Sequence, residues 1–147
     1  MSETQTQKTQ SNLEWKKGGC LCGAVRFEAQ VDLTAPVGRC NCTICTKVGS
    51  TGTVVKPSAF RLVSGEEHLG RWSKGGSPNY RVFCKQCGTQ VFGEGNVPEL
   101  GGEFRSVNVN CLDDVDLTEL NIGYWDGRHD NWQAGMRPQP WPVRARA

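Results

Sequence analysis

The chain has 147 residues, a formal net charge of +2 and 37% hydrophobic residues with 18 glycines, which fits one domain with a thin apolar core. Its basic residues form no stripe, which argues against nucleic-acid binding. No apolar run approaches the roughly 20 residues that cross a bilayer, and Met1 to Gln10 offers no signal-peptide core, so the reading is a cytoplasmic protein without a membrane partner.

In chain order, residues 1–12 are polar, rich in Thr and Gln, and read as a disordered tail. A single domain is expected over 13–141. Val25, Phe27, Ala29 and Val31 alternate with Arg26, Glu28 and Gln30, which predicts a half-buried strand. Shorter β-like runs follow at Thr53 to Val55, Tyr80 to Phe83 and Thr89 to Phe92, and alternation returns around Val107 and Val109. Only Pro57 to Phe60 and Asp114 to Leu120 carry the starting signals of helical turns. The fold class is therefore mainly β, with antiparallel sheets and few short helical turns. Pro138, Pro140 and Pro142 bar a helix at the end, and 142–147 reads as a frayed tail.

Eight cysteines fall as Cys20 and Cys22, then Cys40, Cys42 and Cys45, then Cys84 and Cys87, with Cys111 alone. In a reducing compartment such clusters point to metal ligands, with redox or disulfide chemistry as the alternative. Cys22 and Cys87 are each followed by Gly, which lets backbone amides turn towards sulfur without a Cβ clash. The two pairs are thus plausible halves of one closed, structural four-sulfur zinc site. Cys40, Cys42 and Cys45 would then hold a second zinc with an open position, the usual arrangement for chemistry. Cys111 closing that site would instead leave two structural metals, but a lone cysteine on an alternating strand is more often a buried small hydrophobe.

Gly19 to Val25, Cys40 to Cys45, Phe83 to Gly88, Val107 to Asp114 and Asp126-Gly127 resemble the glutathione-dependent formaldehyde-activating enzyme family, which also contains centromere protein V. The resemblance implies sheets joined around a structural zinc on Cys20, Cys22, Cys84 and Cys87, and a second zinc on Cys40, Cys42 and Cys45. It further implies addition of the glutathione thiol to formaldehyde, a carbon-sulfur lyase reaction. Non-catalytic thiol carriage and a zinc-stabilised protein-interaction module are the competing functions.

Three thiolates on a zinc ion sum to minus one, and Arg39 and Lys47 flank the cluster as candidate cations for cofactor binding. The two carboxylates of glutathione call for basic residues and an aromatic wall. Arg71, Arg81, Lys85 and Arg128 are eligible for the first, and Trp72, Tyr80, Trp125 and Trp132 for the second. His129 follows a turn-like Asp126-Gly127-Arg128 and is a candidate proton shuttle, whereas a lone surface histidine is the simpler reading for it and for His68.

Overall fold

The computed structural model describes residues 12–144; the expected N-terminal tail, except Asn12, and residues 145–147 lie outside them. Among the described residues ten strands form two sheets. The smaller has the order β1 (Glu14–Gly19), β2 (Arg26–Val31), β5 (Phe60–Ser64) and is antiparallel. The larger runs β10 (Ile122–Trp125), β3 (Val37–Cys40), β4 (Gly52–Val55), β9 (Gly102–Asn108), β8 (Gln90–Val97), β7 (Tyr80–Cys84), β6 (Leu69–Trp72). The mainly β expectation holds, with one departure from antiparallel pairing: β10 lies parallel to β3. Among the described residues no helix is long and apolar enough to cross a membrane.

The alternation read in β2 is the inner face of the smaller sheet. Phe27, Ala29 and Val31 are buried there, and Val25 just before the strand joins them. Val82, Val91, Phe92, Val107 and Val109 supply the facing surface. Phe27, Phe60 and Phe92 meet at the centre, with ring centroids 5.3 Å apart for Phe27–Phe60 and 4.5 Å for Phe60–Phe92, so three aromatics from both sheets fill a core otherwise built of valines.

Both expected helical turns form as short 3-10 segments, Pro57–Ala59 and Leu117–Glu119. The expectation that these were the only ones is corrected, among the described residues, by five further 3-10 turns and by a six-residue helix, α1 (Thr43–Val48), inside the middle cysteine cluster. Four of its six residues are β-branched, which lowers helix propensity. Capping offsets that: the Cys42 sulfur accepts from the Cys45 amide at 3.4 Å, and Gly49, at φ 73°, returns its N–H to the Cys45 carbonyl.

Candidate functional site

The β1–β2 turn carries Cys20 and Cys22; Cys84 ends β7, and Cys87 lies in the β7–β8 turn. Both turns need left-handed glycines, Gly23 at φ 82° and Gly88 at φ 80°. The turns belong to different sheets, so the four sulfurs, all within 4.8 Å of one another, join the two layers where they meet. Cys20 and Cys22 sulfurs are 3.6 Å apart, and Cys22 and Cys84 sulfurs 3.8 Å. A tetrahedron with zinc–sulfur bonds of about 2.3 Å has sulfur–sulfur edges of about 3.8 Å, so this donor set fits the ion. Backbone amides point at the sulfurs as well, Val25 to Cys20 and Gln86 to Cys84, each at 3.3 Å. The Thr89 hydroxyl beside Cys87 pulls that thiol down to about 5.

Cys40 ends β3, Cys42 caps α1 and Cys45 lies in its first turn. These three sulfurs also lie within 4.8 Å of one another. Hydrogen bonds from Cys40 and then Cys45 favour the Cys42 thiolate and hold its thiol far below the ordinary value. Hydrogen bonding with Cys40 and then Cys42, together with burial, raises the Cys45 thiol far above its ordinary value. Cys111 is outside both groups. Its sulfur lies 3.3 Å from the Gln90 carbonyl, and burial pushes its thiol up to about 11, as for a small core residue.

A buried polar knot supports the three-cysteine loop. Asn41 donates to Asp126 Oδ1 at 2.7 Å and to the Pro142 carbonyl at 2.9 Å, and its own side-chain oxygen accepts from the Arg128 amide. Pro142, placed by the sequence in a frayed end, is thereby tied to the site. Asp126 is 1% exposed. Burial opposes its ionisation, but bonds from Asn41, His129 and Asn131 outweigh it and hold the carboxyl below its usual range. Gly127 must be glycine-sized, since a Cβ there would come within 2.6 Å of the Cys40 sulfur and 2.7 Å of Trp132. Asp126→Ala would leave His129 and Asn131 without their shared acceptor, and is expected to cost about 3 kcal/mol. Urea denaturation should show a lower midpoint at unchanged slope.

The candidate residues separate clearly. Arg39 is exposed and donates to Thr51 Oγ1 at 2.8 Å, while Lys47 is exposed at the end of α1. Among the described residues the cation that reaches a sulfur is Arg81 of β7, whose Nη2 lies 3.6 Å from Cys45 Sγ. It is 36 residues away in sequence, so no local pattern could have singled it out. Arg71 pairs with Glu94, and Arg128 lies over the Asn41 carbonyl at 2.7 Å. Lys85 is exposed, as are Trp72 and Tyr80. His68 faces Glu67 at the surface. His129 gives Nδ1 to Asp126 at 2.6 Å and has Nε2 buried without a protein partner.

A cleft of about 290 Å³ opens beside Cys40 and Cys45. Arg39 lies at its side, and Tyr124, Trp125 and Trp141 give it an aromatic wall. Trp125 was among the expected wall residues; Trp132 stands behind it, ring centroids 5.9 Å apart. Tyr124 and Trp141 were not among them. The Trp141 indole is held by the Tyr124 carbonyl at 2.8 Å, a contact between distant segments with no sequence signal.

A protein from Halomonas elongata, provisionally named a glutathione-dependent formaldehyde-activating enzyme, is 33% identical over 84 residues. That match covers 52% of this chain, and the chain spans about half the length of that relative, 54%. A crystal structure of a Rhodobacter sphaeroides protein superposes with a TM-score of 0.65 at 30% identity, covering 74% of this chain and 98% of that one. The model of the family described as glutathione-dependent formaldehyde-activating enzyme matches residues 15–127, a span that contains all eight cysteines, the Asn41–Asp126 contact and Arg81; the chain belongs to that family.

Proposed function

We propose that this protein adds the thiol of glutathione, or of a similar small thiol, to a small aldehyde such as formaldehyde, as a zinc-dependent carbon-sulfur lyase acting in the synthetic direction. Two zinc ions are assigned: a structural one on Cys20, Cys22, Cys84 and Cys87, and one on Cys40, Cys42 and Cys45. The observation that carries the reading is a three-sulfur group, with sulfurs within 4.8 Å, at the edge of a cleft of about 290 Å³. Three protein ligands with room for a fourth is the pattern of a zinc that takes part in chemistry. When bound there, zinc supplies a position at which an incoming thiol loses its proton near neutral pH.

The chain's own residues do the remaining work. Arg81, against Cys45, offsets negative charge that accumulates as thiolates gather. The Asn41–Asp126 knot fixes the loop that carries Cys40 and Cys42. In the cleft, Arg39 offers a partner for a peptide carboxylate and the aromatic wall excludes water. In the reaction the thiol sulfur bonds to the carbonyl carbon, the carbonyl π pair moves to oxygen, and the thiol's proton ends on that oxygen. Thiol and aldehyde thus give a hemithioacetal with nothing left over.

Thiols add to formaldehyde unaided, so product alone proves nothing. The test is the exchange rate between free and hydroxymethylated glutathione, followed by NMR with and without protein. The expected result is exchange faster than in buffer. A rate equal to buffer would remove the enzyme and leave thiol carriage.

A further inference from the structure

A second, much smaller hollow lies beside Arg81, the residue that reaches Cys45. It has a volume of about 30 Å³ and is lined by Ser50, Gly52, Arg81, Gly93, Ser106 and Asn108, among others. Four neighbouring strands border it: β4 brings Gly52, β9 Ser106, β8 Gly93 and β7 Arg81. Gly93 faces Arg81 on one side and Ser106 on the other. A Cβ built on either glycine would meet Ser106, at 3.3 Å in both cases, so both glycines open onto the same side of the sheet. A run of small residues thus dents a surface that larger side chains would fill.

Its lining is polar where a carbonyl would need it. Arg81 both borders the hollow and reaches Cys45 Sγ at 3.6 Å. Among the described residues the Ser50 and Ser106 hydroxyls have no hydrogen-bond partner in the protein, whereas Asn108 is used on the Gln90 carbonyl at 2.8 Å. Ser50 borders the larger cleft as well, so one residue lines both cavities. About 30 Å³ admits one or two water-sized groups. That is room for the carbonyl group of a one-carbon compound.

We propose that this hollow is the aldehyde subsite, with Arg81 and Ser106 aimed at the carbonyl oxygen, and that Gly52 and Gly93 restrict the reaction to one-carbon substrates. The proposal rests on the thiol–aldehyde reading above, and assigns a separate place to each reactant: the thiol's body in the wide cleft, the carbonyl in the narrow hollow. Donors at the carbonyl oxygen strengthen as charge develops on it during addition.

The filling variant is Gly52→Ala, whose added methyl would sit 3.3 Å from Ser106 Oγ and 3.6 Å from the Val107 carbonyl, a tight fit that the hydroxyl can relieve by rotating. It should fold and bind glutathione as wild type does, yet lose about tenfold or more of the acceleration with formaldehyde. Each rate is compared with protein-free buffer, and propionaldehyde should gain about tenfold or more less than formaldehyde does in wild type. Equal acceleration of the two aldehydes, or a Gly52→Ala variant as fast as wild type, overturns the subsite. A readout independent of turnover is formamide, an unreactive one-carbon carbonyl compound, titrated while backbone amides are followed by NMR. Shifts should centre on Gly52, Gly93 and Ser106 in wild type and shrink in Gly52→Ala. If wild type does not accelerate exchange but formamide maps to the hollow, the subsite stands and the reaction assignment fails. Formamide shifts elsewhere, or none, overturn the subsite whatever the rates.

Discussion

Cys84→Ser is expected to emerge from purification unfolded or aggregated. The Cys84 side chain is fully buried, and its turn joins the larger sheet to the turn that carries Cys20 and Cys22. A closed zinc site contributes folding free energy directly, about 10–16 kcal/mol in zinc-finger peptides, against a total stability of about 5–15 kcal/mol for an ordinary domain. The valine-rich core between the sheets is too thin to make up such a loss. Serine is close in size to cysteine, so an unfolded variant would report the lost ligand rather than a cavity. Far-UV circular dichroism and size-exclusion chromatography decide it. A variant that melts within a few degrees of wild type would show that the four sulfurs are not a structural metal site.

Cys42→Ser is expected to do the opposite: keep the fold and lose the chemistry. The position is the N-cap of α1, where serine is itself a favoured residue, so the helix has no reason to melt. Zinc content should fall from two equivalents to one. The acceleration of thiol exchange over buffer should fall by about 100-fold or more, since the reactants would have lost their point of assembly. Thermal melts, metal analysis and exchange NMR on the same preparation test all three statements. If Cys42→Ser and Cys84→Ser lose stability equally, the division into a structural and an open site is wrong.

The division of cysteines into four and three was legible in the sequence because it rests on local facts: tight spacing, and glycine directly after Cys22 and Cys87. Both glycines adopt positive φ, but a Cβ at either would meet nothing within 4 Å, so the backbone conformation calls for glycine rather than the expected clash. The alternation of Val25 to Val31 was equally plain, since a strand with one buried face has period two. β3, by contrast, reads Val-Gly-Arg-Cys, too short and too glycine-broken to show a period, so its parallel pairing with β10 had no local trace. α1 was hidden by its β-branched residues and by a cap made of sulfur rather than oxygen. The polar knot was hidden because Asn41 and Asp126 stand 85 positions apart. The same holds for Arg81: Arg39 and Lys47 were nearer to the cluster in sequence, and the sheet brings a farther cation closer in space.

The central claim is that the metal on Cys40, Cys42 and Cys45 keeps a position open to a thiol. Cobalt in place of zinc makes that position visible, because sulfur bound to cobalt gives charge-transfer absorption and four-coordinate cobalt gives strong visible bands. Titrating glutathione into the cobalt protein should strengthen the charge-transfer band and saturate at one glutathione per chain, and Cys42→Ser should show no such change. A spectrum indifferent to glutathione would contradict the account and point to a site closed by the protein itself, as in an interaction module.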